Sequence, residues 1–181
     1  MAKIITIPNP LLRQKSTAVD INAQTKALIK QLKETLVAEE GTIKGVGLAA
    51  VQIRVPKKVF LAYSKKSNKI LTFINPRITW YSKSKTKGVP DSKNKYEGCL
   101  SLPNKWGIVC RAKAIKITYQ SESGIIQSRK FADQIATIIQ HEYDHLFGIL
   151  FIDRILEQKG KIYELAKDEN DKEYLKEINC F

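Results

Sequence analysis

The sequence predicts an α+β fold: mostly antiparallel sheets around a central helix that carries both histidines, with helices at the N-terminal and C-terminal ends. Three observations lead to it. Apolar residues recur at helical spacing in 22-NAQTKALIKQLKETLVAEEG-41 and again in 133-DQIATIIQHEYDHLFG-148. Between them lie short runs rich in β-branched and aromatic residues, separated by turns of hairpin length. Helices kept apart from such strands, with no alternation of strand and helix, mark the α+β class. At 181 residues the chain has the length of one domain, 1–181, able to close a core without disulfides or metals.

The first helix places Leu28, Leu32 and Leu36 on one face, with Asp20 or Asn22 as its N-cap and Gly41 as its stop. The segment 41-GTIKGVGLAAVQI-53 follows, and its three glycines allow close backbone approaches, so it reads as a shaped loop. Next, 57-KKVFLAY-63 and 70-ILTFIN-75 read as a hairpin whose second strand ends at Asn75-Pro76. The stretch 82-SKSKTKGVPDSKNKY-96 holds five lysines against one aspartate without apolar periodicity and reads as a solvated loop. Strands are predicted at 107-GIVCR-111, 113-KAIKITYQ-120 and 125-IIQSRKF-131, the last two joined through 121-SESG-124. The second helix runs from Asp133, a candidate cap, to Gly148. A third is predicted from Leu156 to about Ile178, within a C-terminal helix and tail at 155–181, because its mixed charges suit an exposed helix.

Hydrophobic residues form 43% of the chain and charged ones 27%, which excludes a disordered chain, and no apolar run reaches bilayer length. Pro8, Asn9 and Pro10 interrupt the place where a signal peptide would need continuous apolar residues, so a cytoplasmic location is expected, without bearing on organellar trimming. Cys99, Cys110 and Cys180, odd in number, fit a reducing compartment. Lys and Arg outnumber Asp and Glu 31 to 18, and the excess lies before Arg154. That charge suits a polyanion, yet no aromatic-and-glycine RNA motif accompanies it, and a lysine-rich compositional bias accounts for it equally well.

The chemistry concentrates in 140-QHEYDHL-146. On a helix His141 and His145 project from one face a turn apart and can reach one ion, whereas Glu142 is rotated by about 100° and is placed to handle protons. This is the H-E-x-x-H pattern, in which the acid takes a proton from water activated by the metal. A helix with two structural histidines is the plainer alternative, but Ile135, Ile138, Ile139, Leu146 and Ile149 surround them, and polar groups in such a face need partners. The chain has no third histidine. The remaining ligand is either Glu164, where a thermolysin-like metallopeptidase would carry it, or Cys99 in 97-EGCLSLP-103, and residue chemistry alone leaves both open.

Three stretches in order, 45-GVGLAAVQ-52, 97-EGCLS-101 and 140-QHEYDHL-146, resemble the defining motifs of the peptide deformylases, and 7-IPNPLLRQKSTAV-19 and 148-GILFIDRI-155 resemble that family's flanking segments. The resemblance covers residues 4 to 155. It implies that Cys99, His141 and His145 hold one divalent metal ion, Fe²⁺ first, with Zn²⁺, Ni²⁺ or Co²⁺ also suited to such a site. It implies that Glu142 transfers protons, and that the Gln52 amide and the Leu100 backbone N–H stabilise the oxyanion. Gly47 would present backbone groups to the substrate, and Val46 and Ile138 would wall a pocket for methionine, with core packing as the plainer alternative for those two. The implied partners are N-formylmethionyl nascent peptides, with contact to the ribosome surface compatible and neither specific DNA nor a membrane expected. Glu97 is expected to pair with Arg111, Asp144, facing away from His141, to orient a ligand or to sit in a hydrogen bond behind the ligands, and Cys110 to be a small core residue. Val51, Trp106 and Thr137 depart from the family's usual residues, and residues 83 to 95 run longer than usual, which bears on substrate preference. Two rivals remain: the metallopeptidase that uses Glu164, and a basic RNA- or ribosome-binding module with a structural histidine helix.

Overall fold

The structure, a computed structural model, describes the chain except residues 38–44, 91–94, 168, 170 and 179–181; the expected stop at Gly41 and the residue Cys180 lie outside the described residues. Helix α1 spans Ala23–Leu36, and Asn22 caps it by accepting a hydrogen bond from the Thr25 N–H at 2.9 Å. Its Ile29, Leu32 and Leu36 are buried against Leu48, Val59, Leu61 and Ile74.

The main sheet has five antiparallel strands in the order β1-β2-β3-β8-β9, namely Gly47–Ala49, Val59–Ser64, Lys69–Tyr81, Ala114–Gln120 and Ile126–Ala132. The predicted hairpins β2–β3 and β8–β9 are present. Strand β3 does not stop at Asn75-Pro76. Asn75 takes a left-handed φ of 48°, the pairing with β8 slips between Ile74 and Arg77, and beyond this bulge the strand continues to Tyr81. A proline cannot donate to the ladder, and the bulge is where that loss is tolerated.

Helix α2, Asp133–His145, packs across this sheet, burying Ile138, Ile139 and Leu146 against Phe60, Phe73, Ile115 and Phe131. Asp133 is not its cap: the N-cap is Ala132, with no side-chain cap bond. The predicted stop holds in kind, since Gly148 has φ 70° and a Cβ there would come within 2.2 Å of the Arg13 carbonyl oxygen.

A second sheet, in the order β11-β10-β6-β5, comprises Glu173–Ile178, Ile162–Lys167, Leu102–Gly107 and Glu97–Cys99. A two-stranded ladder joins β4, Lys85–Lys87, to β7, Cys110–Ala112. The 107–111 strand is therefore divided, with Gly107 ending β6 and Cys110 opening β7, and part of the lysine-rich segment is strand where a solvated loop was expected. Cys110 is half-buried and so is not a core residue.

The C-terminal helix is overturned. Helix α3 is short, Phe151–Glu157, and the chain then forms the β10–β11 hairpin. Lys159 at φ 54° and the Gly160 N–H bonded to the Ile155 carbonyl at 2.8 Å close α3. Residues of high helix propensity become strand because β6 offers an edge, pairing Tyr163 with Trp106 and Glu164 with Lys105, while Ile162, 3% exposed, enters the third core cluster beside Leu102 and Phe151. Among the described residues no helix is long and apolar enough to cross a membrane.

Candidate metal centre

Helical pitch places His141 and His145 with ring centroids 5.2 Å apart, and β5 brings Cys99 to them from the other sheet. Cys99 Sγ lies 3.3 Å from His145 Nε2, and one ligand atom from each of Cys99, His141 and His145 falls within 4.8 Å of the others. Two donors sharing a tetrahedral ion, with bonds of about 2.3 Å to sulfur and about 2.0–2.1 Å to nitrogen, stand roughly 3.5 Å apart. The sulfur–nitrogen spacing therefore fits a shared cation, and a thiolate with two imidazoles is a donor set for a transition metal.

The orientation of His141 is fixed from behind. Its Nδ1 lies 3.0 Å from Glu97 Oε2, and Glu97 in turn accepts both a 2.7 Å and a 3.0 Å bond from Arg111. Arg111 also donates to Asp144 at 2.9 Å, and Asp144 accepts a further bond from Arg154 at 2.7 Å. The expected Glu97–Arg111 pair is present, and Asp144 lies three hydrogen bonds from His141, through Arg111 and Glu97. Burial alone would raise the Glu97 carboxyl, but the Arg111 guanidinium and the His141 ring hold it down at about 2. Glu97 is thus a fixed anion, and its bond to Nδ1 leaves Nε2 of His141 for a cation.

Glu142 sits one residue along α2, 4% exposed, and its Oε2 has no hydrogen-bond partner among the described residues. Burial pushes its carboxyl up to about 7, the range in which a general base works near neutrality. The glycine loop explains how the carboxylate fits: a Cβ on Gly47 would stand 2.3 Å from Glu142 Oε1. Gly47 is needed for space, a reason the sequence did not reveal.

Gln52 is pinned by its own oxygen, which accepts the Ala49 N–H at 2.7 Å, so its amide nitrogen points to Ser101 Oγ at 3.1 Å and to Cys99 Sγ at 3.5 Å. Leu100 follows Cys99 in the turn before β6. The N-terminal segment ties both loops down, with the Ile5 N–H on the Gln52 carbonyl at 2.8 Å and the Ile7 N–H on that of Ser101 at 3.0 Å. Ser101 and Ile5 are positioning residues the motifs had not singled out; the bonding partner of Gln52 is visible only in three dimensions.

Gln52, Cys99, Leu100, His141 and Glu142 line one cleft of about 530 Å³ together with Val46, Ile138, Thr137 and Trp106. Val46 is 42% exposed, which removes core packing as its explanation, whereas Ile138 is 5% exposed and serves both core and cleft. Trp106 lies flat on Gly98, where a Cβ would meet its ring at 2.5 Å. Glu164 is elsewhere: it sits on β10, paired with Lys105 at 2.8 Å, and is not in the ligand group.

A buried carboxylate beside a Cys/His/His ligand group in an open cleft defines a metal-dependent hydrolase. The family model for polypeptide deformylase matches residues 1–161. The chain is 34% identical to the peptide deformylase of Bartonella tribocorum, over 96% of this chain and 97% of that one, and 38% identical to that of Rhizobium meliloti, over 86% of each. Its fold is similar to the crystal structure of the Thermotoga maritima peptide deformylase, with a TM-score of 0.74 at 31% identity, covering 85% of this chain and 97% of that one. This chain belongs to the polypeptide deformylase family: it is a hydrolase that removes the N-formyl group from nascent polypeptides.

Proposed function

We propose that the cleft performs this hydrolysis with Cys99, His141 and His145 as ligands of one divalent cation, Glu142 as the proton-transferring group, and Gln52 with the Leu100 N–H as oxyanion donors. The observation that carries the proposal is the approach of Cys99 Sγ to His145 beside the buried Glu142 carboxylate. When bound, the cation supplies Lewis acidity and a water molecule that ionises near neutral pH. Thiolate and imidazole ligands suit iron and zinc alike; Fe²⁺ is the proposed native ion, with Zn²⁺, Ni²⁺ or Co²⁺ as substitutes.

The protein's own groups do the rest. Glu142, held near neutrality by burial, accepts the proton of the attacking water and delivers it to the departing amine. The Gln52 amide, fixed by Ala49, and the Leu100 N–H donate to the formyl oxygen as it gains charge, where one such donor is typically worth about 10²–10³ in rate. Gly47, on the outer strand of the main sheet, offers backbone groups to an extended peptide, and Val46 and Ile138 flank the first side chain. A family member from Acinetobacter baumannii has been solved bound to Met-Ala-Ser, with a TM-score of 0.74 at 27% identity, and a peptide beginning with methionine is the ligand proposed here.

We further propose that residues 1–181 act as one catalytic domain in the cytoplasm, on N-formylmethionyl chains at the ribosome surface, with neither DNA nor a membrane as a partner. The test is release of formate from formyl-Met-Ala-Ser by enzyme prepared without oxygen. Turnover that disappears in Glu142→Ala supports the assignment, and turnover that survives rejects it. Loss of activity in air supports iron.

A further inference from the structure

Eight of the chain's bases fall in residues 77–87, 113–120 and 126–132, which contain no acid. The main sheet brings 77–81, 114–120 and 126–132 together, while Lys85 and Lys87 lie in the separate β4–β7 ladder. Trp80 of β3 stands opposite Lys116 of β8, Lys116 opposite Lys130 of β9, and Arg77 opposite Thr118. Their neighbours Ile115, Ile117 and Phe131 are buried against α2, so alternation turns Arg77, Trp80, Lys116 and Lys130 to the opposite face, whereas Arg129, whose guanidinium lies over the Phe131 ring, belongs to the α2 side. Helix α1 lies on that face over β1, β2 and the first half of β3, and beyond it Trp80, Lys116 and Lys130 are exposed among the described residues.

None of these eight bases forms an ion pair among the described residues, although eight other Lys and Arg side chains do: Arg13, Lys30, Lys33, Lys105, Arg111, Arg154, Lys161 and Lys167, all placed elsewhere. Trp80 is 43% exposed, with Lys130 Nζ 4.8 Å from its ring centroid. Glu122, in the β8–β9 turn on this side of the sheet, is engaged by Lys33 and Thr72, so Arg77, Lys116 and Lys130 repel one another, and a polyanion relieves that repulsion. We propose that the exposed face of β3, β8 and β9, centred on Trp80, Lys116 and Lys130, binds single-stranded RNA.

The row crosses three strands, about 10 Å at the usual strand spacing, and offers a ring for a base beside ammonium groups for phosphates. Ile126, 71% exposed, projects on this face at its far end beside the β8–β9 turn, but the row itself sets an indole among ammonium groups, which suits bases and phosphates better than the aliphatic anchors an anionic membrane favours. The surface is separate from the cleft and does not depend on how the cleft works.

The test uses the full chain and a fluorescent single-stranded RNA of about 12 nucleotides, within the usual site size of such platforms. Lys116→Glu with Lys130→Glu should weaken binding about tenfold and flatten the salt dependence by about 1.4 in log–log slope, two phosphate contacts' worth. Trp80→Ala should weaken it several-fold with the slope unchanged. Lys3→Glu with Lys159→Glu, which changes the net charge equally, should have less than about a twofold effect, and formate release from a short formyl peptide should be the same in all, reporting intact folding. Equal losses in the patch and control pairs would overturn the proposal, as would absence of saturable RNA binding, or binding to phosphatidylserine vesicles in its place.

Discussion

Gly47 shows how much of the site depends on one absent atom. Its backbone lies so close to Glu142 that a methyl group would occupy the carboxylate's position. Gly47→Ala is therefore expected to push Glu142 aside and, with Glu142 in its proposed proton-transfer role, lower kcat about 10²-fold, the usual cost of misplacing such a group by about 1 Å. Thermal unfolding should change little, because the strain can relax into the cleft; unchanged kcat would show that Glu142 has another place to sit. Gln52 tests a different atom. Gln52→Ala removes the proposed oxyanion donor and should cost about 10²–10³ in kcat/KM, read with the short formyl peptide. Because Gln52 also accepts the Ala49 N–H, retention of metal in this variant distinguishes loss of the donor from collapse of the loop.

Behind the ligands, strands β5 and β7 and helix α2 are joined by the buried chain Glu97–Arg111–Asp144. Removing the Arg111 guanidinium leaves buried Glu97 with only the His141 ring and Asp144 with only Arg154, so Arg111→Ala should destabilise the protein by about 3–5 kcal/mol in urea unfolding. Replacing Glu97 and Arg111 together should cost less than the sum of the single changes; strict additivity would mean the two do not interact. Ile162→Ala tests the C-terminal hairpin, with about 2–5 kcal/mol expected if that side chain is a core residue and little if the segment is only a tail. The elements differ in how far the sequence showed them. Helices α1 and α2 declare themselves through periodicity, and the His141–His145 pair through spacing that helical pitch converts directly into proximity. The Cys99 contact spans 46 residues, so bare residue chemistry left it level with Glu164 until the combined motifs decided between them. The hairpin at 162–178 was hidden because Glu, Lys, Leu and Ala favour helix locally, and only the open edge of β6 selects strand. Gly160 was the local signal against a continuous helix.

At the scale of the molecule, the two sheets meet at the cleft, and each supplies what the other lacks: the main sheet and α2 bring the histidines, Glu142 and Gln52, while the smaller sheet brings the thiol. The N-terminal segment fastens both halves through Ile5 and Ile7, and Arg13 bonds Asp153 of α3, so the two flanking segments that resemble the family also meet in space. Convergence of Cys99 with the two histidines on one cation is the central claim, and metal content tests it most directly. Oxygen-protected wild-type protein and Glu164→Ala should each carry about one transition-metal ion per chain, and Cys99→Ala should carry almost none. Full metal in Cys99→Ala, or its loss in Glu164→Ala, would contradict the account.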